Sequence, residues 1–299
     1  MGGFPVGSQD TVAYFGVGHA GNIILNYDSA DVNSAYYSST ADGGSFKFLF
    51  FHEFGHALGL KHPHDDGETG RPIFGEYGGL SKSLDNDLYT VMSYEFSHGG
   101  DFDLSKYDPS TFMVLDVLTL QYLYGKNTEY EAGDSTHKIE NNNSFRTIWD
   151  PSGENTLDLL NSSTNWSIAL PYYVWSELSD SPTGWAVTYE TSQSVLPTDL
   201  VWLVGDFDNI FAGRGDDTLY GNAGNNILRG GDGSDKLEGW EGDDTLTGGT
   251  GADSFYFSIG WGSDQITDFD ASEDQIILLD EFLEPIEFDR IKIEVINGD

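Results

Sequence analysis

The sequence predicts an α+β domain in residues 1–125, followed by an all-β domain in residues 126–299. A helical stretch with regularly spaced histidines lies in the first part. A nine-residue repeat rich in glycine and aspartate occupies about residues 203–256 of the second part. The length of 299 residues allows two domains, and a hydrophobic content of 38% is enough for a packed core.

The formal net charge of −37 argues against a nucleic-acid partner, because the phosphate backbone would repel the chain. The charge has two explanations, which are compatible. Many carboxylates serve as calcium ligands, or they form a solvated acidic surface suited to salty surroundings. The chain has no cysteine and can form no disulfide, so bound metal ions are the candidate for cross-linking the fold. No apolar run is long enough to span a membrane, so we expect no membrane insertion.

The first domain begins with short stretches that predict strands. Residues 11–15 and 22–27 are rich in β-branched and aromatic residues, and residues 34–37 are a further short candidate. A helix is then expected from about Phe46 to Leu60, because its apolar residues recur at three- and four-residue spacing.

A second helix is expected from Ser110 to Tyr124. Ser110 or Asp108 provides a candidate cap, and Gly125 is expected to end the helix. Clusters of turn residues then separate short stretches that predict strands. These strand candidates are Ile148–Trp149, Asn155–Leu159 and Trp166–Leu170.

The histidines within the first predicted helix indicate a metal site. His52 and His56 are four residues apart, which places them on one helix face, one turn from each other. Gly59 lets the chain leave the helix, since glycine adopts positive φ without steric cost, and the turn can bring in His62. Three imidazoles leave a coordination position open for water, as a catalytic zinc ion requires.

The repeat runs from Ala212 to Tyr256 in five consecutive copies of nine residues. The fourth position is always glycine, the sixth is aspartate or asparagine, and the eighth is apolar. Leu203–Phe211 resembles an earlier, degenerate copy. A flexible glycine-rich linker would not keep an apolar residue at every eighth position, so we expect stacked short strands with that residue inside the coil.

Glycine carbonyls in a tight turn and aspartate carboxylates provide the oxygen ligands that calcium prefers. Asn226 replaces aspartate in one copy, and we expect it to weaken one site through the loss of a formal charge. The pattern resembles the RTX repeat, which binds several structural Ca²⁺ ions in a parallel β-roll. The candidate calcium ligands are Asp208, Gly213, Gly215, Asp217, Gly224, Asn226, Gly233, Asp235, Gly242, Asp244, Gly251 and Asp253.

The extended histidine pattern is the metzincin signature. The order of the parts resembles the serralysin family of secreted bacterial zinc metalloproteases over nearly the whole chain. The resemblance rests on that pattern, on Pro63 after the third histidine, on the sequence Met92-Ser93-Tyr94, on a helix ending in Leu-Tyr-Gly, and on the repeats.

The resemblance implies a metzincin-type catalytic domain with one catalytic Zn²⁺ ion. Glu53 would be the general base, and Tyr94 would also donate a hydrogen bond to the developing oxyanion. Gly59 and Met92 would have structural roles, with Met92 as an apolar floor beneath the metal. The implied zinc ligands are His52, His56, His62 and Tyr94.

The family also implies a monomeric, extracellular bacterial endopeptidase that cleaves proteins or peptides. Its other implied partners are a type I secretion apparatus and a proteinaceous inhibitor. The segment 34–37 resembles the edge strand that pairs with an extended substrate. The alternative is a catalytically inactive RTX calcium-binding surface or adhesive protein with a vestigial protease domain. The retention of Glu53 favours the enzyme.

The chain departs from the serralysin pattern at both ends. Only 51 residues precede His52, fewer than the family normally has. We therefore expect the N-terminal part of the catalytic domain to be missing, in either a fragment or a trimmed relative. The last residues, Ile296–Asp299, do not match the short apolar tail that serralysins use in secretion.

Overall fold

The structure of the protein is a computed structural model. Its described part is mostly β with few helices. The predicted edge strand at 34–37 lies outside the described residues. Of the first two predicted strands, the structure describes Ala13–Tyr14 (β1) and Ile24–Leu25 (β2), which pair antiparallel. The described residues are 13–14, 24–25, 45–63, 82–95, 97, 109–174, 180–191, 194, 196–258 and 260–279.

The described residues form two compact units that alternate along the chain. Unit 1 comprises those up to Ser135, with Glu140–Asn155 and Pro171–Phe207. Unit 2 comprises Thr136–Ile139, Thr156–Leu170 and those from Asp208 onward. The predicted division into domains at 1–125 and 126–299 stays a prediction.

Three helices are described in unit 1. They are α1 (Ser45–Ala57), a 3₁₀ helix (Lys82–Leu84) and α2 (Val114–Tyr124). The first predicted helix is therefore confirmed, although it ends before Leu60. Gly59 has a φ of +93°, and the N–H of Leu60 donates to the carbonyl oxygen of Gly55 at 2.9 Å, which closes the helix.

The second predicted helix is confirmed with a later start, because Ser110 is not its cap. The N–H of Ser110 donates to the carbonyl oxygen of Phe145 at 2.7 Å, which holds this residue beside a strand. Met113 is the N-cap, and its N–H donates to the carboxylate of Asp116 at 2.9 Å. Asp108 lies outside the described residues. Gly125 ends the helix as expected, with a φ of +85°.

The remaining described strands lie between residues 136 and 279. They include the three strands predicted between residues 126 and 200. Two further strands follow the repeats. In chain order, the strands between residues 136 and 279 are β3 Thr136–Lys138, β4 Phe145–Asp150, β5 Thr156–Asp158, β6 Ser167–Val174, β7 Pro182–Thr188, β8 Asp199–Gly205, β9 Asn209–Phe211, β10 Thr218–Tyr220, β11 Ile227–Asp232, β12 Lys236–Glu238, β13 Thr245–Thr250, β14 Ser254–Ser258, β15 Gln265–Ile266 and β16 Gln275–Leu279.

In unit 1, β8 pairs parallel with β4 and antiparallel with β7. Side chains from these strands pack with α1 and with the segment around Met92 in one hydrophobic core. This shared core explains why residues 140–155 and 171–207 belong to unit 1, although residues of unit 2 lie between them in the sequence. The fully or largely buried members of the core are Phe48, Leu60, Val91, Met92, Met113, Phe145, Val187 and Leu200.

In unit 2, successive strands alternate between two parallel sheets. One sheet has the order β15-β13-β11-β9-β5-β3, and the other contains β16-β14-β12-β10 and the first half of β6. Paired residues lie in every second repeat, 18 positions apart, as Leu219 and Leu237 show. The predicted inward position is confirmed, since the eighth residue of all five copies is 0% exposed.

The stacked column of apolar residues also extends upstream of the repeats. Leu157 pairs with Ile210, and Ile168 pairs with Leu219, and each of these side chains is 0% exposed. These added turns were not predicted from sequence, because residues 136–170 contain one glycine, Gly153, and lack the nine-residue glycine pattern of the repeat.

Candidate metal centres

Three imidazoles converge at the C-terminal end of α1. His52 and His56 lie one turn apart on the helix, and the turn at Gly59 brings His62 back towards them. The Nε2 atom of His62 lies 3.0 Å from Nε2 of His56 and 3.2 Å from Nε2 of His52. Ligand nitrogens at tetrahedral corners around zinc are about 3.3 Å apart, since Zn–N bonds are 2.0–2.1 Å. The three residues could therefore hold one metal ion.

The outer nitrogens of two of these rings bind backbone carbonyls. Nδ1 of His52 donates to the carbonyl oxygen of Val91 at 2.7 Å, and Nδ1 of His56 donates to that of Leu60 at 3.0 Å. A neutral imidazole that donates from Nδ1 keeps the lone pair on Nε2. The Nε2 lone pairs of His52 and His56 therefore face the Nε2 atom of His62, where they could coordinate a cation held among the three rings.

Glu53 and Tyr94 belong to the same site. Glu53 follows His52 on α1 and is half-buried. Burial raises the pKa of its carboxyl group, and the nearby His56 partly opposes this. The ring centroid of Tyr94 lies 4.5 Å from that of His62 and 5.2 Å from that of His52, while the residue remains 50% exposed. The structure thus brings together all five residues proposed from sequence for this centre.

Met92 packs beneath α1 through a contact that the sequence analysis missed. Met92 is 2% exposed, and its N–H donates to the Oγ1 atom of Thr90 at 3.0 Å. A Cβ atom on Gly55 would lie 2.5 Å from the Met92 sulfur, so the lack of a side chain at Gly55 makes room for the methionine. The sequence did contain a sign of this close contact. A glycine lies between the two helical histidines, and glycine is unfavourable inside a helix unless a larger side chain would not fit.

Asp116 was also missed. Its buried carboxylate accepts hydrogen bonds from Oγ1 of Thr90 at 2.5 Å and from the N–H of Val91 at 2.8 Å. Burial raises the pKa of Asp116 to about 6, although the hydrogen bonds from Thr90, Val91 and Met113 favour the charged form. The position of Asp116 in the first turn of a helix did not indicate its hydrogen bond to Val91, which lies 25 residues away in the sequence.

The sixth residues of the repeats form two buried rows in unit 2. In one row the N–H of Asp217 donates to Oδ1 of Asp235, and the N–H of Asp235 donates to Oδ1 of Asp253, at 2.7 and 2.8 Å. In the other row the N–H of Asn226 donates to Oδ1 of Asp244 at 2.8 Å. Each row therefore places one side-chain carboxylate or amide per coil in register.

These rows contain buried carboxylate oxygens that lack partners. Within the described part of the chain, the Oδ2 atoms of Asp235, Asp244 and Asp253 are buried without a hydrogen bond. Burial, with repulsion from neighbouring carboxylates, raises the pKa of Asp235 and of Asp244 to about 7. A cation would satisfy the free oxygens and relieve the repulsion, so these positions fit calcium.

The repeat glycines permit close stacking of the coils. A Cβ atom on Gly251, which has a φ of +130°, would lie 1.8 Å from the carbonyl oxygen of Gly233. A Cβ atom on Gly233 would lie 2.1 Å from the carbonyl oxygen of Gly215. The carbonyl oxygens of Gly215 and Gly233 therefore face the next coil. The ligand roles of all six glycines stay predictions: Gly213, Gly215, Gly224, Gly233, Gly242 and Gly251.

Asn226 differs from the aspartates in the same rows. Its Nδ2 donates to Oδ1 of Asn222 at 3.1 Å, and its Oδ1 accepts from the N–H of Asn222 at 2.8 Å. The amide is thus hydrogen-bonded within its own turn. Asp208 is less buried than the sixth residues of the complete copies, and its role as a ligand stays a prediction.

Comparison with known proteins identifies the repeats. Residues 204–237 and 220–255 match the RTX calcium-binding nonapeptide repeat. The chain is 31% identical to serralysin G of Dickeya chrysanthemi over 50% of its length and 33% of the relative's. It is 32% identical to metalloprotease AprA of Pseudomonas entomophila, over 46% of its length and 32% of the relative's. A serralysin of Proteus mirabilis is 31% identical over 40% of this chain and 27% of the relative.

The chain therefore carries RTX repeats and is similar over part of its length to proteins of the serralysin family. It spans about a third of the length of the curated relatives it matches.

The contact between Gly55 and Met92 predicts a steric effect. Gly55→Ala places a methyl group against the methionine sulfur, so we expect the free energy of unfolding to fall by about 1–3 kcal/mol. Urea denaturation measures the change. Gly133→Ala is the matched control, because a Cβ atom there meets nothing within 4 Å. A Gly55→Ala variant as stable as the wild type would contradict the contact.

The buried carboxyl group of Asp116 predicts a dependence of stability on pH. Its folded pKa of about 6 exceeds the ordinary value of 3.8, so folding favours the protonated form. This stabilisation is complete below pH 3.8 and is lost as the pH rises through about 6. In zinc-chelated protein, the stability of the wild type relative to Asp116→Asn should fall by up to roughly 3 kcal/mol across this range.

Urea denaturation at a series of pH values measures that difference. Glu95→Gln, at an exposed carboxylate, is the control. A difference between wild type and Asp116→Asn that stays constant with pH would mean that folding does not raise the pKa of Asp116.

Proposed function

We propose that this protein is a zinc-dependent endopeptidase that hydrolyses peptide bonds in extracellular proteins. The proposal rests on the close approach of the Nε2 atoms of His52, His56 and His62. Backbone carbonyl oxygens orient the rings of His52 and His56. In this proposal, unit 1 contains a metzincin-type α+β catalytic domain, and the repeats form a parallel β-roll. The names of the relatives, serralysin and metalloprotease, support the same class of reaction.

The residues of the site have separate roles in this mechanism. His52, His56 and His62 would hold the zinc ion, with Tyr94 as a further ligand. Zinc bound there would lower the pKa of a water molecule and polarise the scissile carbonyl group. Glu53 takes the proton from the attacking water and passes it to the leaving amine. The Tyr94 hydroxyl donates a hydrogen bond to the oxyanion that develops on the substrate.

We also propose that several calcium ions stabilise the repeats of unit 2. The free, buried oxygens of Asp235, Asp244 and Asp253 support this, because calcium coordinates hard oxygen ligands. Ions along both rows would neutralise part of the charge of −37. Glycine carbonyls that face the next coil would supply further ligands.

The proposed setting is the outside of a bacterial cell, reached through a type I secretion apparatus. The partners are protein or peptide substrates and a proteinaceous inhibitor, and the protein acts as a monomer. Nucleic acid is not a proposed partner, because the charge of −37 would be repelled. Among the described residues, no helix has the length and apolarity needed to cross a membrane.

Glu53→Ala tests the proposed activity. Removal of the general base should lower the rate of casein hydrolysis by about 10²–10⁴-fold, and a zinc chelator should abolish it. Clearing of a casein gel, followed by a rate measurement on a peptide substrate, measures the loss. Glu95→Ala, which removes an exposed carboxylate near Tyr94, is the matched control and should retain the wild-type rate.

The same assay separates the enzyme from the alternative, a catalytically inactive RTX calcium-binding surface or adhesive protein. Hydrolysis that depends on Glu53 supports the enzyme. A folded, zinc-loaded wild type that clears no casein would overturn the proposed activity.

The calcium proposal predicts a response to both metal and charge. Millimolar calcium added to chelated protein should increase the β-structure measured by circular dichroism. Asn226→Asp adds a buried ligand charge and should lower the calcium concentration needed for the half-maximal change. Asn225→Asp adds the same charge at an exposed neighbour and is the control. Equal effects of the two variants, or a spectrum insensitive to calcium, would contradict the proposed sites.

A further inference from the structure

Helix α2 contacts two parts of the candidate zinc site, although it contains none of the proposed ligands. Its first turn includes Asp116 and its last residue is Tyr124, about 12 Å apart along the axis at 1.5 Å per residue. Leu115 and Leu118 are 2% and 0% exposed in a hydrophobic cluster, which fixes the helix in unit 1.

At the first turn, the carboxylate of Asp116 binds the segment that precedes Met92. Its Oδ1 accepts from Oγ1 of Thr90, and its Oδ2 accepts from the N–H of Val91. The carbonyl oxygen of Val91 in turn accepts the hydrogen bond from Nδ1 of His52 at 2.7 Å. Two consecutive hydrogen bonds, joined through the backbone of Val91, therefore connect Asp116 with the ring of His52.

At the last residue, the hydroxyl of Tyr124 donates to the carbonyl oxygen of Leu58 at 2.6 Å. Leu58 belongs to the turn that leaves α1, where carbonyl groups lack partners within the helix. A Cβ atom on Gly59 would lie 3.8 Å from the Tyr124 hydroxyl, so the two residues are close neighbours. This turn determines how the chain passes from His56 to His62.

We propose that α2 is a clamp that sets the spacing of the three imidazoles, with Asp116 and Tyr124 as positioning residues. Asp116 orients His52 through Val91, and Tyr124 holds the turn that delivers His62. The clamp rests on the proposed function, because it acts on the proposed zinc ligands. Groups that orient metal ligands from outside the coordination sphere typically change metal affinity 10–100-fold when they are replaced.

Tyr124→Phe and Asp116→Asn test the two ends of the clamp. Tyr124→Phe removes one hydroxyl from an exposed residue, and Asp116→Asn keeps the shape of the buried side chain. Tyr122→Phe makes the first change two positions away, at a residue that is 71% exposed, and is the matched control. Circular dichroism and the midpoint of thermal unfolding establish that each variant is folded.

The measurements are Zn²⁺ affinity by competition with a chelator, and the visible spectrum of Co²⁺-loaded protein. We expect Asp116→Asn to weaken Zn²⁺ binding 10–100-fold and Tyr124→Phe to weaken it severalfold, each with an altered cobalt spectrum. Tyr122→Phe should match the wild type in both measurements. A purely structural role would lower the unfolding midpoint and leave the cobalt spectrum unchanged.

Wild-type metal affinity and cobalt spectrum in both test variants would overturn the clamp. A wild type that binds zinc without cleaving casein would overturn the proposed activity but not the clamp, because the clamp is tested by zinc affinity and the cobalt spectrum. A wild type that binds no zinc would overturn both proposals.

Discussion

The hydrogen bond from Nδ1 of His52 to the carbonyl oxygen of Val91 is the contact on which the candidate zinc site depends. It joins α1 to the segment that carries Met92 and Tyr94, and it leaves the Nε2 lone pair of His52 directed at the other two rings. Asp116 binds the N–H of the same Val91 residue. The N–H of Val91 is thus held by Asp116, and the carbonyl oxygen of Val91 holds the His52 ring.

Two features of the site followed from sequence because they depend on local geometry. The spacing of His52 and His56 places both on one helix face, and the positive φ of Gly59 follows from the conformational freedom of glycine. The inward position in the repeats was predictable for the same reason, since a side chain at a fixed place in each short strand points the same way. The family resemblance supplied Tyr94 and Met92.

The contacts that sequence reasoning missed join residues far apart in the chain. Asp116 and Val91 are separated by 25 positions, and Tyr124 and Leu58 by 66. Ser110 illustrates the converse error: it has the chemistry of a helix cap, yet its N–H binds the carbonyl oxygen of Phe145. Tertiary pairing overrode local propensity there, because a buried backbone N–H must find a partner.

The net charge illustrates how structure separates explanations that composition leaves open. Sequence alone allowed both calcium ligands and a solvated acidic surface. The rows of buried carboxylates, in which Asp235 and Asp244 have pKa values raised to about 7, are not a solvated surface. Placing them in register inside a coil costs free energy that bound cations would recover, which favours calcium for this part of the charge.

X-ray absorption at the zinc edge tests the central claim most directly, because it reports the atoms bound to the metal. We expect one zinc ion per chain with three imidazole nitrogens at about 2.0–2.1 Å. A His56→Ala variant that remains folded should bind less zinc, and any zinc that it binds should have fewer imidazole nitrogens. A folded wild-type protein that binds no zinc, or binds it through carboxylates without imidazole, would contradict the proposed centre.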